Sequence, residues 1–155
     1  ILGQSFKTLE LQIIGPPGDD EPQLRTLIEG LPEALRRRVT RLGFVARDEV
    51  ARLVSSATLL VHPSHYEGFG FPLVEAMSMG TPVVATTGGA IPEIVDTAAV
   101  TVEPGDVEAL VAGISLLIEK ESFRDRIISS GLERSKQFSW ATAGEQMLNM
   151  YRSVC

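Results

Sequence analysis

Short apolar runs alternate along the chain with segments whose apolar residues recur at helical spacing. This alternation is typical of a doubly wound α/β fold, in which a parallel sheet is covered by helices on both faces. The runs that we predict to be strands are Leu11–Gly15, Val39–Gly43, Leu59–His62, Val83–Thr86 and Ala99–Val102. Ligands bind such sheets beyond the carboxyl ends of the strands. We therefore expect the loops at 15–18, 63–70 and 87–90, which are rich in small or polar residues, to meet at one edge.

Three segments between the strands have helical patterns, with Asp48 as a candidate cap residue and Gly30 and Gly80 as candidate stops. They are Gln23–Gly30, Asp48–Ala57 and Pro72–Met79. From about residue 106 the chain is predicted to be helical to its end. This segment contains an apolar stripe of Val107, Leu110, Val111, Ile114, Leu117 and Ile118, and it continues through Phe123–Gln137 and Trp140–Tyr151.

The composition predicts one domain of ordinary size, spanning 1–155, because 44% of the residues are hydrophobic and can form a sizeable core. A formal charge of −6 argues against nucleic acid or an anionic membrane as the main partner. One basic cluster, Arg36, Arg37, Arg38 and Arg41, is expected to be a solvated helix end rather than a lipid or partner contact.

Neither a membrane span nor a secretory leader is evident in the sequence, since no run approaches the roughly 20 apolar residues that a span needs. Cys155 is the only cysteine, which excludes an internal disulfide. These features favour a reducing, cytoplasmic setting.

The stretch from Glu67 to Glu75 is the strongest candidate for a ligand site. Loop-forming residues precede it and helix formers follow it, so it predicts a glycine-rich loop that runs into a helix start. Gly68 and Gly70 allow the backbone to approach a ligand closely. Pro72 suits the first helical position, where the other free N–H groups and the helix dipole attract an anion, most simply a phosphate. Both carboxylates are expected to face one cleft.

A ligand that carries hydroxyl groups beside a phosphate would use both the carboxylates and the helix start, and a nucleotide sugar has this chemistry. Two alternatives remain for the glutamates: solvated carboxylates, or a hydrolase acid/base pair, which the helical position of Glu75 fits less well. His62 and His65 are too few and too isolated for a metal site, and we predict that His62 is structural.

The segment EGFGFPLVE at 67–75 is similar to the signature of the group 1 (family 4) retaining glycosyltransferases, whose GT-B fold consists of two Rossmann-like domains. The resemblance covers nearly the whole chain. Further similar blocks, in the family's order, are LQIIG (11–15), LGFV (42–45), VHPS (61–64), GTPVVA (80–85), GGAIPEIV (88–95) and VEPGD (102–106). It implies a Rossmann-like fold and a nucleoside-diphosphate sugar as the donor that the chain binds.

The resemblance also implies roles for single residues. Glu75 would accept hydrogen bonds from the donor's ribose, and Glu67, the candidate catalytic residue, would lie near the transferring sugar and stabilise positive charge there. The backbone N–H groups of Gly70, Phe71 and Leu73 would meet the sugar and the phosphate. Phe44 and Val45 match the place where family members meet the nucleobase, largely through backbone groups. Gly68, Phe69 and His65 are further candidates for contact with the donor. Glu93 either matches a recurring family position or simply occupies the first turn of a short helix.

The implied reaction is transfer of a hexose to an acceptor hydroxyl, with retention of anomeric configuration and without a metal or other cofactor. A complete enzyme of this family also has an N-terminal acceptor domain and a basic segment that would lie just upstream of residue 1. The chain is therefore expected to be a C-terminal donor-binding domain, inactive in isolation, with membrane association only through the missing part. The alternatives are an epimerase or phosphorylase of the same fold and a non-catalytic nucleotide-sugar-binding module.

Overall fold

The computed structural model describes residues 1–154, so the prediction concerning Cys155 lies outside the described residues. The strands are β1 (Leu11–Ile14), β2 (Val39–Gly43), β3 (Leu60–His62), β4 (Val83–Thr86) and β5 (Val100–Val102). The helices are α1 (Leu2–Ser5), α2 (Glu21–Glu29), α3 (Glu33–Arg36), α4 (Arg47–Ser56), α5 (Phe71–Ser78), α6 (Ile91–Val95), α7 (Val107–Glu119), α8 (Glu121–Ser135) and α9 (Trp140–Val154). The chain divides into two compact units, Ile1–Arg52 and a second that begins at Leu53, within α4.

All strand pairs are parallel, as predicted, and hydrogen bonds assign the strands to two sheets. The first unit contains the pair β1-β2, and the second contains a sheet of order β3-β4-β5. The prediction of a cap at Asp48 is wrong, because α4 begins one residue earlier and Asp48 lies in its first turn, where an acid is also favoured by the helix dipole. Pro72 is the second residue of α5 rather than the first.

In the first unit, two arginines of the predicted basic cluster are half-buried and bind main-chain carbonyls. Arg38 Nη1 donates to the carbonyl oxygen of Phe6 at 2.8 Å. Arg41 Nη1 donates to the carbonyl oxygen of Gly15 at 2.7 Å, and its Nη2 lies 3.0 Å from Glu21 Oε2. The expectation of a solvated cluster is therefore wrong for Arg38 and Arg41. Their guanidinium groups donate to main-chain carbonyl oxygens that would otherwise need another hydrogen-bond donor, such as water.

In the second unit, helices lie on both faces of the sheet. All four residues of β4 are buried, and since successive side chains point to opposite faces, both faces must be covered. Val83 and Ala85 point to one face and belong to the hydrophobic core that α5 and α6 complete. Val84 points to the other face, where α7 packs so closely that a Cβ at Gly113 would lie 3.4 Å from Val84 Cγ1. The largest fully buried side chains of this unit include Leu73, Met77, Ile91, Leu117 and Val95.

Helix α8 covers the elements that carry the candidate site. It approaches α5 at Gly131, where an added Cβ would lie 3.2 Å from Met77 Cγ. Arg134 Nε donates to the carbonyl oxygen of Ile94 at 3.0 Å and so caps the end of α6. None of the helices formed by residues 1–154 combines the length and the apolar character that a membrane span requires.

Candidate functional site

The predicted glycine-rich loop follows β3 and ends at the start of α5. Gly70 caps the helix in a left-handed conformation, with φ at +88°, which favours glycine. The N–H of Leu73 donates to the carbonyl oxygen of Gly70 at 3.0 Å. Within residues 1–154, the N–H groups of Gly70 and Phe71 have no hydrogen-bond acceptor, and Pro72 has no N–H. The helix start therefore offers two free donors at the positive end of its dipole.

The side chain of Glu67 is held by the histidine that ends β3. His62 Nε2 lies 2.9 Å from Glu67 Oε1, and the two side chains are 18% and 30% exposed. An ionised carboxylate only accepts hydrogen bonds, so Nε2 is the donor in this pair. The carboxylate is thus fixed by a partner but still open to solvent.

The main chain of Glu67 is held by the loop that follows β4. Glu67 forms an isolated parallel bridge with Gly89, and the Ala90 N–H donates to the Glu67 carbonyl oxygen at 2.9 Å. Gly89 has a φ of +64°, and a Cβ there would lie 2.3 Å from the same carbonyl oxygen. Only glycine allows this approach, because backbone atoms cannot move aside as a flexible side chain can.

Two further contacts fix the first part of the loop. A Cβ at Gly88 would lie 2.3 Å from the carbonyl oxygen of His65, and Thr86 Oγ1 donates to the carbonyl oxygen of Ser64. The predicted convergence of the loops after β3 and β4 is therefore confirmed. The loop at 15–18 belongs to the first unit, and its approach to the other two stays a prediction.

Aromatic side chains surround the start of α5. The ring centroid of Phe69 lies 4.8 Å from that of Phe71 and 5.8 Å from that of Phe138. Trp140, the first residue of α9, stacks on Phe71 at 6.3 Å. Phe69 and Phe71 therefore stabilise the loop through their rings, whereas the N–H group at Phe71 is the part directed to a ligand in our prediction.

The remaining predicted site residues lie in different surroundings. Glu75 is half-buried in α5, Gly68 is exposed in the loop, and the side chain of Leu73 is fully buried in the core. Phe44 and Val45 follow β2 in the first unit, and Phe44 is 84% exposed. The contacts of these residues with a donor stay predictions.

His65 is exposed and lines a cavity of about 170 Å³ at the carboxyl edge of β3, β4 and β5. Other lining residues are Pro63, Thr86, Val102 and Glu103. No three His, Cys, Asp or Glu side chains in the part of the chain that the structure describes are grouped so that they could hold a metal ion. Whether the reaction needs a metal is a separate question, and metal independence stays a prediction.

The fold and the site define a Rossmann-like α/β domain with a glycine-rich loop at the carboxyl edge of its parallel strands. Residues 1–134 match the profile of the glycosyl transferases group 1 family, and the chain belongs to that family. Its fold is that of the GT-B glycosyltransferases, as predicted.

Two solved structures and one curated relative illustrate the similarity. The chain is 40% identical to the O-antigen chain mannosyltransferase B of Escherichia coli over 111 residues, which cover 72% of this chain and 29% of the relative. HepE of Anabaena, solved in complex with UDP-glucose, is 29% identical with a TM-score of 0.85, over 98% of this chain and 43% of HepE. The C-terminal domain of a group 1 protein (LpcC) from Francisella tularensis is 27% identical with a TM-score of 0.77, over 87% of this chain and 72% of that domain. The chain thus spans less than half the length of the curated relatives that it matches.

Proposed function

We propose that this chain is the donor-binding, C-terminal domain of a retaining glycosyltransferase that transfers a hexose from a nucleoside-diphosphate sugar to an acceptor hydroxyl. The observation that carries the proposal is the backbone at the start of α5. There the free N–H groups of Gly70 and Phe71 lie at the positive end of a helix, directly after a loop that carries a fixed carboxylate. A sugar attached to a diphosphate requires both kinds of group.

In this proposal the two glutamates have different tasks. Glu75 accepts hydrogen bonds from the ribose, an interaction that is the same before and during transfer. Glu67 stabilises the positive charge that develops at the anomeric carbon while the bond to the diphosphate breaks. Charge on the leaving diphosphate is met by the N–H groups and dipole of α5, together with cations from another part of the protein, without a metal.

The relatives support the donor class and the domain assignment. HepE was solved with UDP-glucose, the Escherichia coli relative is named a mannosyltransferase, and the Francisella tularensis structure is a C-terminal domain. We infer that an N-terminal domain supplies the acceptor site and that the cleft between the two domains is the place of reaction. On this proposal the 155-residue chain alone transfers no sugar, because half of the cleft is contributed by the other domain. We also infer that the enzyme acts in the cytoplasm.

The proposal is tested by replacing each glutamate in the full-length enzyme. Glu75→Gln should weaken nucleotide and donor binding by about 1.5–3 kcal/mol, the range for a lost hydrogen bond to a charged group. Glu67→Gln should lower kcat and leave nucleoside-diphosphate affinity nearly unchanged, because its interaction strengthens in the transition state. Donor-dependent kinetics and calorimetric titration with nucleoside diphosphates measure the two effects separately.

Glu119→Gln is the matched control, because Glu119 is exposed at the end of α7 and its replacement makes the same change of charge. It should leave both kinetics and binding unchanged. If neither Glu67→Gln nor Glu75→Gln differs from this control, the stretch is not the donor site. If Glu67→Gln abolishes nucleotide binding while Glu75→Gln has no effect, the two roles are reversed.

A further inference from the structure

The contact between His62 and Glu67 joins the last residue of a strand to a carboxylate five residues later. We propose that His62 is a positioning residue: its Nε2–H holds Oε1 of Glu67, so that Oε2 is presented to the donor sugar. The inference rests on the proposed function, because it assigns to Glu67 the task of stabilising charge on that sugar. It adds a residue that acts on catalysis through another side chain.

The imidazole is well suited to this task because β3 fixes it. His62 pairs with Ala85 in the parallel ladder of β3 and β4. Its side chain points to the same face as that of Leu60, two residues earlier, which packs against the core. With 18% of its side chain exposed, the ring has little freedom to rotate away from Glu67. The sheet therefore holds the histidine in place, and the histidine holds the side chain of Glu67 in the loop.

Only one oxygen of Glu67 is occupied. Among residues 1–154, His62 is the only hydrogen-bond partner of the Glu67 carboxylate, and the bond is to Oε1. The second oxygen remains available, and the side chain is 30% exposed. A carboxylate held at one oxygen keeps a defined plane, whereas a carboxylate in an open loop would sample many rotamers. The pair thus fixes the direction of the free oxygen before the donor arrives.

Two amide variants of His62 in the full-length enzyme separate positioning from packing. In His62→Gln the side-chain amide nitrogen reaches approximately to the position of Nε2 and can still donate to Glu67. In His62→Asn the amide ends about one bond earlier and cannot. Thr81→Val is a control for lost stability, since it removes a buried hydrogen bond, from Thr81 Oγ1 to the carbonyl oxygen of Val54, that lies outside the site.

We expect His62→Asn to lower kcat by roughly 10- to 100-fold, since misplacement of a reacting group by about 1 Å can cost about 100-fold in rate. The donor KM and the nucleoside-diphosphate affinity should change little, and His62→Gln should retain most of the activity. Combining His62→Asn with Glu67→Gln should reduce kcat no further than Glu67→Gln alone, because the two residues act as one unit. Thr81→Val should lower the thermal midpoint and leave kcat unchanged.

Several results would overturn the inference. It is wrong if His62→Asn retains full kcat, if Gln and Asn at this position are equally impaired, or if the losses of His62→Asn and Glu67→Gln multiply in the double variant. A normal His62→Asn enzyme beside an impaired Glu67→Gln enzyme refutes the positioning role alone. If Glu67→Gln and Glu75→Gln both leave kinetics and binding intact, the proposed function fails and the positioning role fails with it.

Discussion

At the scale of single residues, the position of Glu67 depends on two glycines that are distant from it in sequence. Gly88 and Gly89 follow β4 and contact the loop after β3 through backbone atoms alone. Because an added Cβ would lie 2.3 Å from a carbonyl oxygen at either position, even the smallest side chain must displace the loop. The two glycines therefore set where the main chain of the candidate catalytic residue lies.

A comparison of Gly89→Ala with Gly105→Ala measures this steric contact. Both residues have left-handed backbones, with φ values of +64° and +85°, but a Cβ at Gly105 would meet nothing within 4 Å. Gly105→Ala should destabilise by about 1–2 kcal/mol, the cost of a left-handed conformation for an L-residue. In Gly89→Ala the free energy of unfolding should fall by roughly a further 1–3 kcal/mol because of overpacking, and kcat should also fall. Urea unfolding and donor kinetics test both; equal losses of stability in the two variants would contradict the structure.

The contacts that the sequence did not predict are those that depend on how the chain folds back on itself. The contact between His62, which was predicted to be structural, and Glu67 forms because the chain turns back after β3. Arg38 and Arg41 were expected to be solvated, and they bind carbonyl groups 25 to 35 residues away in the sequence. A motif shows which residue types are present, but not which main-chain atoms come close to them after folding.

At the scale of elements, the hydrophobic pattern predicted β2 and β4 with their observed bounds and the other strands to within one residue. These strands are short and flanked by clear turn residues, so the apolar runs and the turn signals indicate the same strand ends. The short helices α1 and α3 escaped prediction, since four residues are too few to show a helical period. The predicted start of α5, Pro72, is one residue too late, because the helix begins directly after the left-handed Gly70.

Helix packing against the sheet can be tested with two glycines that lie inside helices. A Cβ at Gly113 in α7 would lie 2.9 Å from Val100 Cγ1, whereas one at Gly144 in α9 would meet nothing within 4 Å. Alanine favours a helix by about 1 kcal/mol at either position. Gly144→Ala should therefore stabilise by up to about 1 kcal/mol, and Gly113→Ala should destabilise by about 1–2 kcal/mol because the stiff valine cannot rotate away.

Urea unfolding of the two variants gives the comparison directly. Stabilisation of both variants would show that helix propensity outweighs packing and that α7 lies farther from β4 and β5 than the structure indicates.

At the scale of the whole molecule, the family and the fold class follow from the sequence, but the arrangement of the complete site does not. The loop and helix around Glu67 and Glu75 lie within the second unit, whereas Phe44 and Val45 belong to the first. The local sequence pattern predicted the loop and helix around Glu67 and Glu75, because these residues are consecutive in sequence. Whether Phe44 and Val45 contact a donor stays a prediction, because a local pattern describes neither a second unit nor a bound donor.

The proposed binding of the phosphate at the start of α5 predicts how the full-length protein responds to a chelator. Calorimetric titration with uridine, guanosine and adenosine diphosphates should find at least one that binds, with the same affinity in EDTA and in magnesium. The reason is that, in the proposed function, N–H groups, the helix dipole and cationic side chains meet the negative charge, and a metal ion does not. Binding that disappears in EDTA and returns with magnesium would show that the phosphate site is a metal site.

The contact between Gly89 and Glu67 also bears on how such a protein can diverge. Because the contact joins backbone to backbone, it requires that position 89 has no side chain, whatever side chains surround it. An exposed neighbour such as Tyr66 can accumulate substitutions while this backbone contact is kept. A protein with this contact can therefore change much of its loop sequence while the backbone geometry at this glutamate is inherited unchanged.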